Sequence, residues 1–139
     1  MEGSPPLYDQ DLEHMRLLVL FHKIVAGIYI VVGLCGLPHF TIGLLMNIDP
    51  TFMESPTSPP PPGFVGWMFM GFAAMFVFGA WVFAILNWLS SQRLQERNGL
   101  KLIYVTSGLN CLWMPIGTAL GVFTFIVITR PSVRSLFPR

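Results

Sequence analysis

The chain has 139 residues, 53% hydrophobic and only 11% charged, with a mean hydropathy of +0.63. Soluble domains carry roughly 25% charged residues, and so small a chain hides only about two-thirds of its exposable surface; a soluble domain with one large core is therefore not the expected class. The net charge of +1 gives no basis for nucleic acid as a partner.

Residues 1–10 read as a polar, proline-bearing tail, with Pro5 and Pro6. The start MEGSPPLYDQDLEH is acidic, unlike the basic-then-apolar start of a signal peptide, so the first apolar span is expected to serve as an uncleaved membrane signal. Asp9 or Asp11 is placed to cap the helix that follows. Residues 11–23 mix Glu13, His14, Arg16, His22 and Lys23 with apolar residues, the pattern of a helix start lying in the membrane interface. The long stems of Arg16 and Lys23 reach phosphate headgroups from there.

Residues 24–46 form the first expected span. Ile24–Leu45 alone covers about 33 Å at 1.5 Å per residue, enough for a hydrocarbon core of roughly 30 Å. Pro38 predicts a kink or an early end, with His39 capping the outer end of the span. Residues 47–62 form a loop with Asp49 and Glu54 but no Lys or Arg, and the run Pro59–Pro62 predicts extended polyproline II. Pro56–Pro59 also matches PxxP, a weak signal on a loop expected to face away from the cytoplasm.

Residues 63–90 form the second span and carry no charge. Trp67 and Trp88 are separated by about 31 Å of helix, close to the hydrocarbon thickness, and read as interfacial anchors. Gly71, Ala74, Gly79, Ala80 and Ala84 are candidates for close helix contact, set against the general abundance of small residues in membrane helices. Residues 91–101 form a short basic loop in which Asn98-Gly99 is placed to end the helix.

Residues 102–129 are the ambiguous stretch, too long for one ordinary span and broken at Pro115 and Gly117. The tail 130–139 carries Arg130, Arg134 and Arg139 with no acid beside them. Lys and Arg gather on the cytoplasmic side of short loops. By that rule the N-terminus, the 91–101 loop and the C-terminus are cytoplasmic and the Pro-rich loop is outside. The crossings must then be even in number, so 102–129 folds back as a hairpin turning near Met114–Thr118. Asn110, Thr106, Ser107, Thr118 and Thr124 would satisfy its backbone, and Gly117 and Gly121 would allow close approach. The rival is one bent helix and three spans. The expected class is all-α: a polytopic membrane protein with two full spans and a Pro-broken hairpin.

Two patches carry a resemblance: HMRLLVLFHKIVAG with LPHFTIG, within His14–Gly43, and PIGTALGVFTFIVITRPSVRSLF, Pro115–Phe137. Together they resemble a group of small bacterial membrane proteins with an N-terminal HxRLLxxFH pattern and a C-terminal PxGTxLGVFT…RPxVxxLF pattern. The resemblance implies a bacterial inner-membrane location and three or four hydrophobic segments. It implies no activity and carries over no functional residue.

Residues fit for chemistry are few. No acid lies between Ser55 and Gln95 and none follows Glu96, and HExxH, GxSxG and phosphate-loop motifs are missing. No catalytic residue, metal ligand or cofactor is therefore expected. Cys35 and Cys111 sit in apolar runs and read as buried thiols, and the methionines read as packing. His14 and His22 are expected to meet headgroups or acidic neighbours. The leading function is a small non-catalytic membrane protein, an accessory or structural subunit of a larger inner-membrane assembly or a homo-oligomer. Its partners would be the lipid bilayer, other membrane subunits or further copies. One alternative is electron transfer, with haem or quinone held at His22 or His39 between copies; another is a small transport unit at the Pro115 break.

Overall fold

The computed structural model describes residues 6–55 and 59–137. Residues 1–5 of the polar tail, part of the PxxP match (Pro56, Thr57, Ser58) and Arg139 lie outside the described residues. The chain is all-α, as expected: α1 (Pro6–Ile48), a 3-10 turn (Pro50–Met53), α2 (Phe64–Gln95), α3 (Leu100–Cys111), α4 (Ile116–Ile128) and α5 (Pro131–Arg134). Both α1 and α2 are long and apolar enough to cross a membrane, and α4 is a shorter apolar helix. The chain divides into two compact units, one of residues 1–28 and 83–139, the other of residues 29–82.

Three expected boundaries are corrected. The first helix begins at Pro6, so Asp9 lies in its first turn and Asp11 inside it; neither is the cap. Pro38 does not end α1, which runs on to Ile48, so His39 is an interior helix residue and caps nothing. The physical reason is the balance at Pro38. Its ring removes one backbone bond, whereas stopping there would leave several carbonyls without partners in an apolar run. Asn98-Gly99 does not end α2 either. The helix closes with the Asn98 N–H donating to the Arg93 carbonyl at 3.0 Å, around Arg97 in the left-handed region at φ 53°. An arginine held there costs roughly 1–2 kcal/mol that glycine would not. Gly99, at φ 67°, instead opens α3.

In the second unit, α1 and α2 meet along small residues. Gly33, Gly36 and Gly43 of α1 are buried, as are Gly66, Ala73, Val77 and Ala80 of α2, recurring mostly three or four positions apart. That spacing makes one narrow stripe along each helix. A Cβ at Gly43 would sit 2.6 Å from the Met70 backbone nitrogen and 3.0 Å from the Gly66 carbonyl oxygen. Of the expected contact residues, Ala80 and Ala84 are buried. Ala74 is exposed, however, and Gly71 and Gly79 face open space, because they lie off the buried stripe. In the last turn of α1 Asn47 donates to the Gly43 carbonyl at 2.7 Å, and beyond it Asp49 caps the 3-10 turn by accepting from the Thr51 N–H at 3.0 Å and hydroxyl at 2.6 Å. Pro59–Pro62 carries no helix.

In the first unit the same three-and-four spacing continues as Asp11, Met15, Leu18, His22 and Val25 on α1 and as Ala84, Asn87, Ser91 and Leu94 on α2. The buried set here is markedly polar. All seven described Lys and Arg residues belong to this unit, and 29–82 has none.

Gly43→Ala should lower thermal stability in detergent by about 1–3 kcal/mol, since the clash is with backbone. Gly71→Ala should leave it unchanged or raise it by roughly 0.5–1 kcal/mol through lost unfolded-state freedom. Parallel thermal melts of the two variants check the contrast.

Candidate functional site

The broken stretch folds back on itself. Residues Leu112–Pro115 make the turn, with a cis Met114–Pro115 peptide, and α4 starts at Ile116. Gly117, expected in the turn, is instead the first close contact between the two helices: a Cβ there would lie 2.5 Å from the Asn110 carbonyl oxygen. Gly121 meets the Ser107 carbonyl and Cys111 in the same way one turn later. A turn among apolar residues must find partners for the carbonyls that α3 leaves open. The Thr118 hydroxyl supplies one by donating to the Cys111 carbonyl at 2.9 Å. The hydroxyls of Ser107 and Thr124 donate within their own helices, to Ile103 and Leu120.

Asn110 is not used on the backbone. Its side-chain amide pairs with that of Asn87 on α2: Asn87 Nδ2 donates to Asn110 Oδ1 at 3.1 Å and Asn110 Nδ2 donates to Asn87 Oδ1 at 2.8 Å. Both residues are fully buried, and Asn87 Nδ2 also reaches the Phe83 carbonyl at 2.9 Å. Two amides facing each other satisfy both donors and both acceptors on that side, the least costly way to bury them. The Phe83 and Trp113 rings, 6.0 Å apart, lie beside the turn. Sequence reasoning named Asn110 and missed Asn87. The available signal was an amide in a span otherwise free of strongly polar side chains.

The hairpin's far end returns to the start of α1. Arg130 Nη1 donates to Asp11 Oδ1 at 3.0 Å and to His14 Nδ1 at 3.1 Å, and the Ser132 hydroxyl donates to Asp11 Oδ2. An arginine nitrogen only donates, so His14 Nδ1 is the acceptor. Arg130, expected to lack an acid, is thus paired with one from the opposite end of the chain. Asp11 is buried, ahead of the apolar run that begins at Ile24. The Ser132 hydroxyl first, then Arg130, holds its carboxyl below the ordinary carboxylate range.

His22 does not meet headgroups. It is fully buried on the inner stripe of α1, and its Nδ1 donates to the Leu18 carbonyl at 3.0 Å. Among the described residues its Nε2 has no partner, and neither have the buried hydroxyls of Ser90 and Thr106. His39 lies in the other unit and is exposed. It lines an apolar groove of about 630 Å³ with Cys35, Met68, Phe72 and Met75. Cys35, expected to be buried, is exposed there, and Cys111 is half-buried. Trp67 and Trp88 are 65% and 50% exposed. Among the described residues no group of three His, Cys, Asp or Glu side chains gathers as a metal site. Comparison with protein-family models, curated proteins and solved structures finds no match.

Asn110→Leu leaves the Asn87 amide buried without its partner and should cost about 1–3 kcal/mol of stability. The double change to leucine at both positions should cost less than the two single changes added together. A double-mutant cycle in detergent should return a coupling of roughly 0.6 kcal/mol, at most about 1.7.

The Asp11 contacts give a sign for acid sensitivity. A depressed carboxyl contributes stability that is complete above its unfolded pKa, about 3.9, and is lost as pH falls through the lower folded value. Melting temperature followed across acidic pH should show this loss in the parent chain and not in Asp11→Asn.

Proposed function

We propose that the protein is a small, non-catalytic integral membrane protein that serves as an accessory or structural subunit of a larger inner-membrane assembly or as a homo-oligomer. The observation that carries this is the surface of the second unit. Its stripe of small residues is buried, while large apolar side chains point outward around both helices. Phe78 is 72% exposed, Met75 66%, Phe72 62% and Val31 59%. Water does not tolerate so continuous an apolar surface, and lipid or neighbouring subunits would cover it. Two helices long and apolar enough to cross a membrane fit that setting.

The orientation follows from charge. The described Lys and Arg residues all fall in the first unit, and the positive-inside rule puts that end in the cytoplasm. Arg130 at 3.0 Å from Asp11 supports a hairpin that leaves and re-enters by one face. Neither α3 nor α4, at about 18 Å and 20 Å, reaches across a hydrocarbon core of roughly 30 Å. Both termini are then cytoplasmic and the Pro-rich loop is outside. The transport reading is weakened by the polar groups at the break, since Thr118 serves a backbone carbonyl and Asn110 serves Asn87.

Native mass measurement after mild detergent extraction should find further subunits or further copies with the chain. A lone 15.6 kDa species would overturn the subunit reading. A single cysteine added after Phe137, in a Cys35→Ala, Cys111→Ala background, should react with an impermeant thiol reagent only from the cytoplasmic side.

A second reading has one observation in its favour. His39 opens onto an apolar groove large enough for a flat ring system, so haem or quinone at His39 remains an alternative, whereas the enclosed ring of His22 is poorly placed for it. A haem absorption band in the purified protein, lost in His39→Ala, would favour this reading.

A further inference from the structure

A smaller cavity, about 300 Å³, lies in the first unit between the start of α1 and the end of α2. Its lining combines apolar residues, among them Met15, Val19 and Leu94, with Gln95, Arg16 and Arg97, and includes no carboxylate. Three other cations of the unit are already engaged. Arg93 meets Glu96 at 3.6 Å and Asn98 at 3.0 Å, Arg130 meets Asp11, and Lys23 lies 5.9 Å from the Trp88 ring centroid. Among the described residues, Arg16 and Arg97 have no ion-pair partner. Arg97 also stands at the left-handed position closing α2, where glycine or asparagine is usual.

From these observations we infer that Arg16 and Arg97 form a headgroup site for one anionic glycerophospholipid of the cytoplasmic leaflet. The inference rests on the membrane placement proposed above. Charge complementarity selects the ligand: two guanidinium forks with no competing carboxylate match a phosphodiester with a net negative headgroup. The apolar floor selects a lipid over a free anion, because Met15, Val19 and Leu94 offer the glyceryl end of an acyl chain a dry surface. The depth agrees. Leu94 and Arg97 lie about 9–14 Å along the chain beyond Trp88, which places the pair at headgroup level when Trp88 sits at the hydrocarbon edge.

Native mass spectrometry of the full chain in neutral detergent, titrated separately with phosphatidylglycerol and phosphatidylcholine, tests this. The parent chain should retain one phosphatidylglycerol about tenfold more tightly than phosphatidylcholine. Arg16→Gln and Arg97→Gly should each weaken that retention about fivefold, and Arg134→Gln should not. Arg97→Gly separates binding from folding, because glycine suits the left-handed turn: its melting temperature should hold or rise while lipid retention falls. Equal retention of both lipids, retention unchanged in the two cavity variants, or displacement of phosphatidylglycerol by millimolar inorganic phosphate would each overturn the inference. Membrane fractionation before extraction reads the placement separately: a chain absent from membranes refutes the placement, whereas a membrane-bound chain with no lipid preference refutes only the site.

Discussion

The first unit depends on one pair of buried amides. Asn87 and Asn110 face each other with reciprocal hydrogen bonds, and that contact holds the hairpin against α2. The hairpin has few other polar anchors there. The Ser107 and Thr124 hydroxyls are turned onto their own helices, and Thr118 closes the turn. Because the amides are fully buried, sliding one helix past the other by a turn would strand two donors and two acceptors. The pair therefore sets the register of α3 on α2 as well as its attachment. The hairpin then delivers Arg130 to Asp11 and His14, tying the two ends of the chain together.

The two units use different physics. In residues 29–82 the helices approach through glycine and alanine, with backbone meeting backbone at Gly43 and side chains of the facing helix filling the space at Gly33 and Gly36; the only charged residues of this unit are the acids Asp49 and Glu54 of the loop. The attraction is packing, which works in lipid as it does in water. The other unit concentrates the cations and a buried polar set that includes His22, Asn87, Ser90, Ser91, Thr106 and Asn110. Such groups are costly in an apolar medium unless partnered. Most are partnered, while His22 Nε2 and the Ser90 and Thr106 hydroxyls have no partner among the described residues. The arginines show the same division: those near acids are satisfied internally, and those lining the small cavity point at chemistry the chain does not supply.

Where sequence reasoning failed, the surroundings of a residue had overridden its local rule. Pro38 by itself signals a kink or an early end, yet the surrounding apolar run favours continuing the helix to Ile48, so the early end does not occur. The Pro115–Gly117 pair was rightly identified as the disturbance, but Gly117 turned out to be a contact residue rather than a turn residue. Counting small residues in α2 selected Gly71, Ala74 and Gly79 beside Ala80 and Ala84, whereas the buried stripe runs through Ala73, Val77, Ala80 and Ala84. In an apolar helix, hydropathy does not distinguish the lipid-facing side from the helix-facing side, so the stripe is invisible until the partner helix is in place. His22 was misread for the same reason: it looks interfacial in the sequence and lies on the inner stripe in the fold.

The sequence by itself determined the all-α class, the two long apolar helices, the position of the disturbance at Pro115 and the confinement of Lys and Arg to one part of the chain. Each follows from composition along a single segment, where apolar length and the cost of a bare backbone leave few choices. Only the tertiary structure decided which face of each helix is buried, that Asn87 is the partner of Asn110, that Arg130 answers Asp11, and that Arg16 and Arg97 share one cavity. These are relations between residues far apart in the chain. Their energy comes from the closeness of two groups, and no local pattern encodes that closeness.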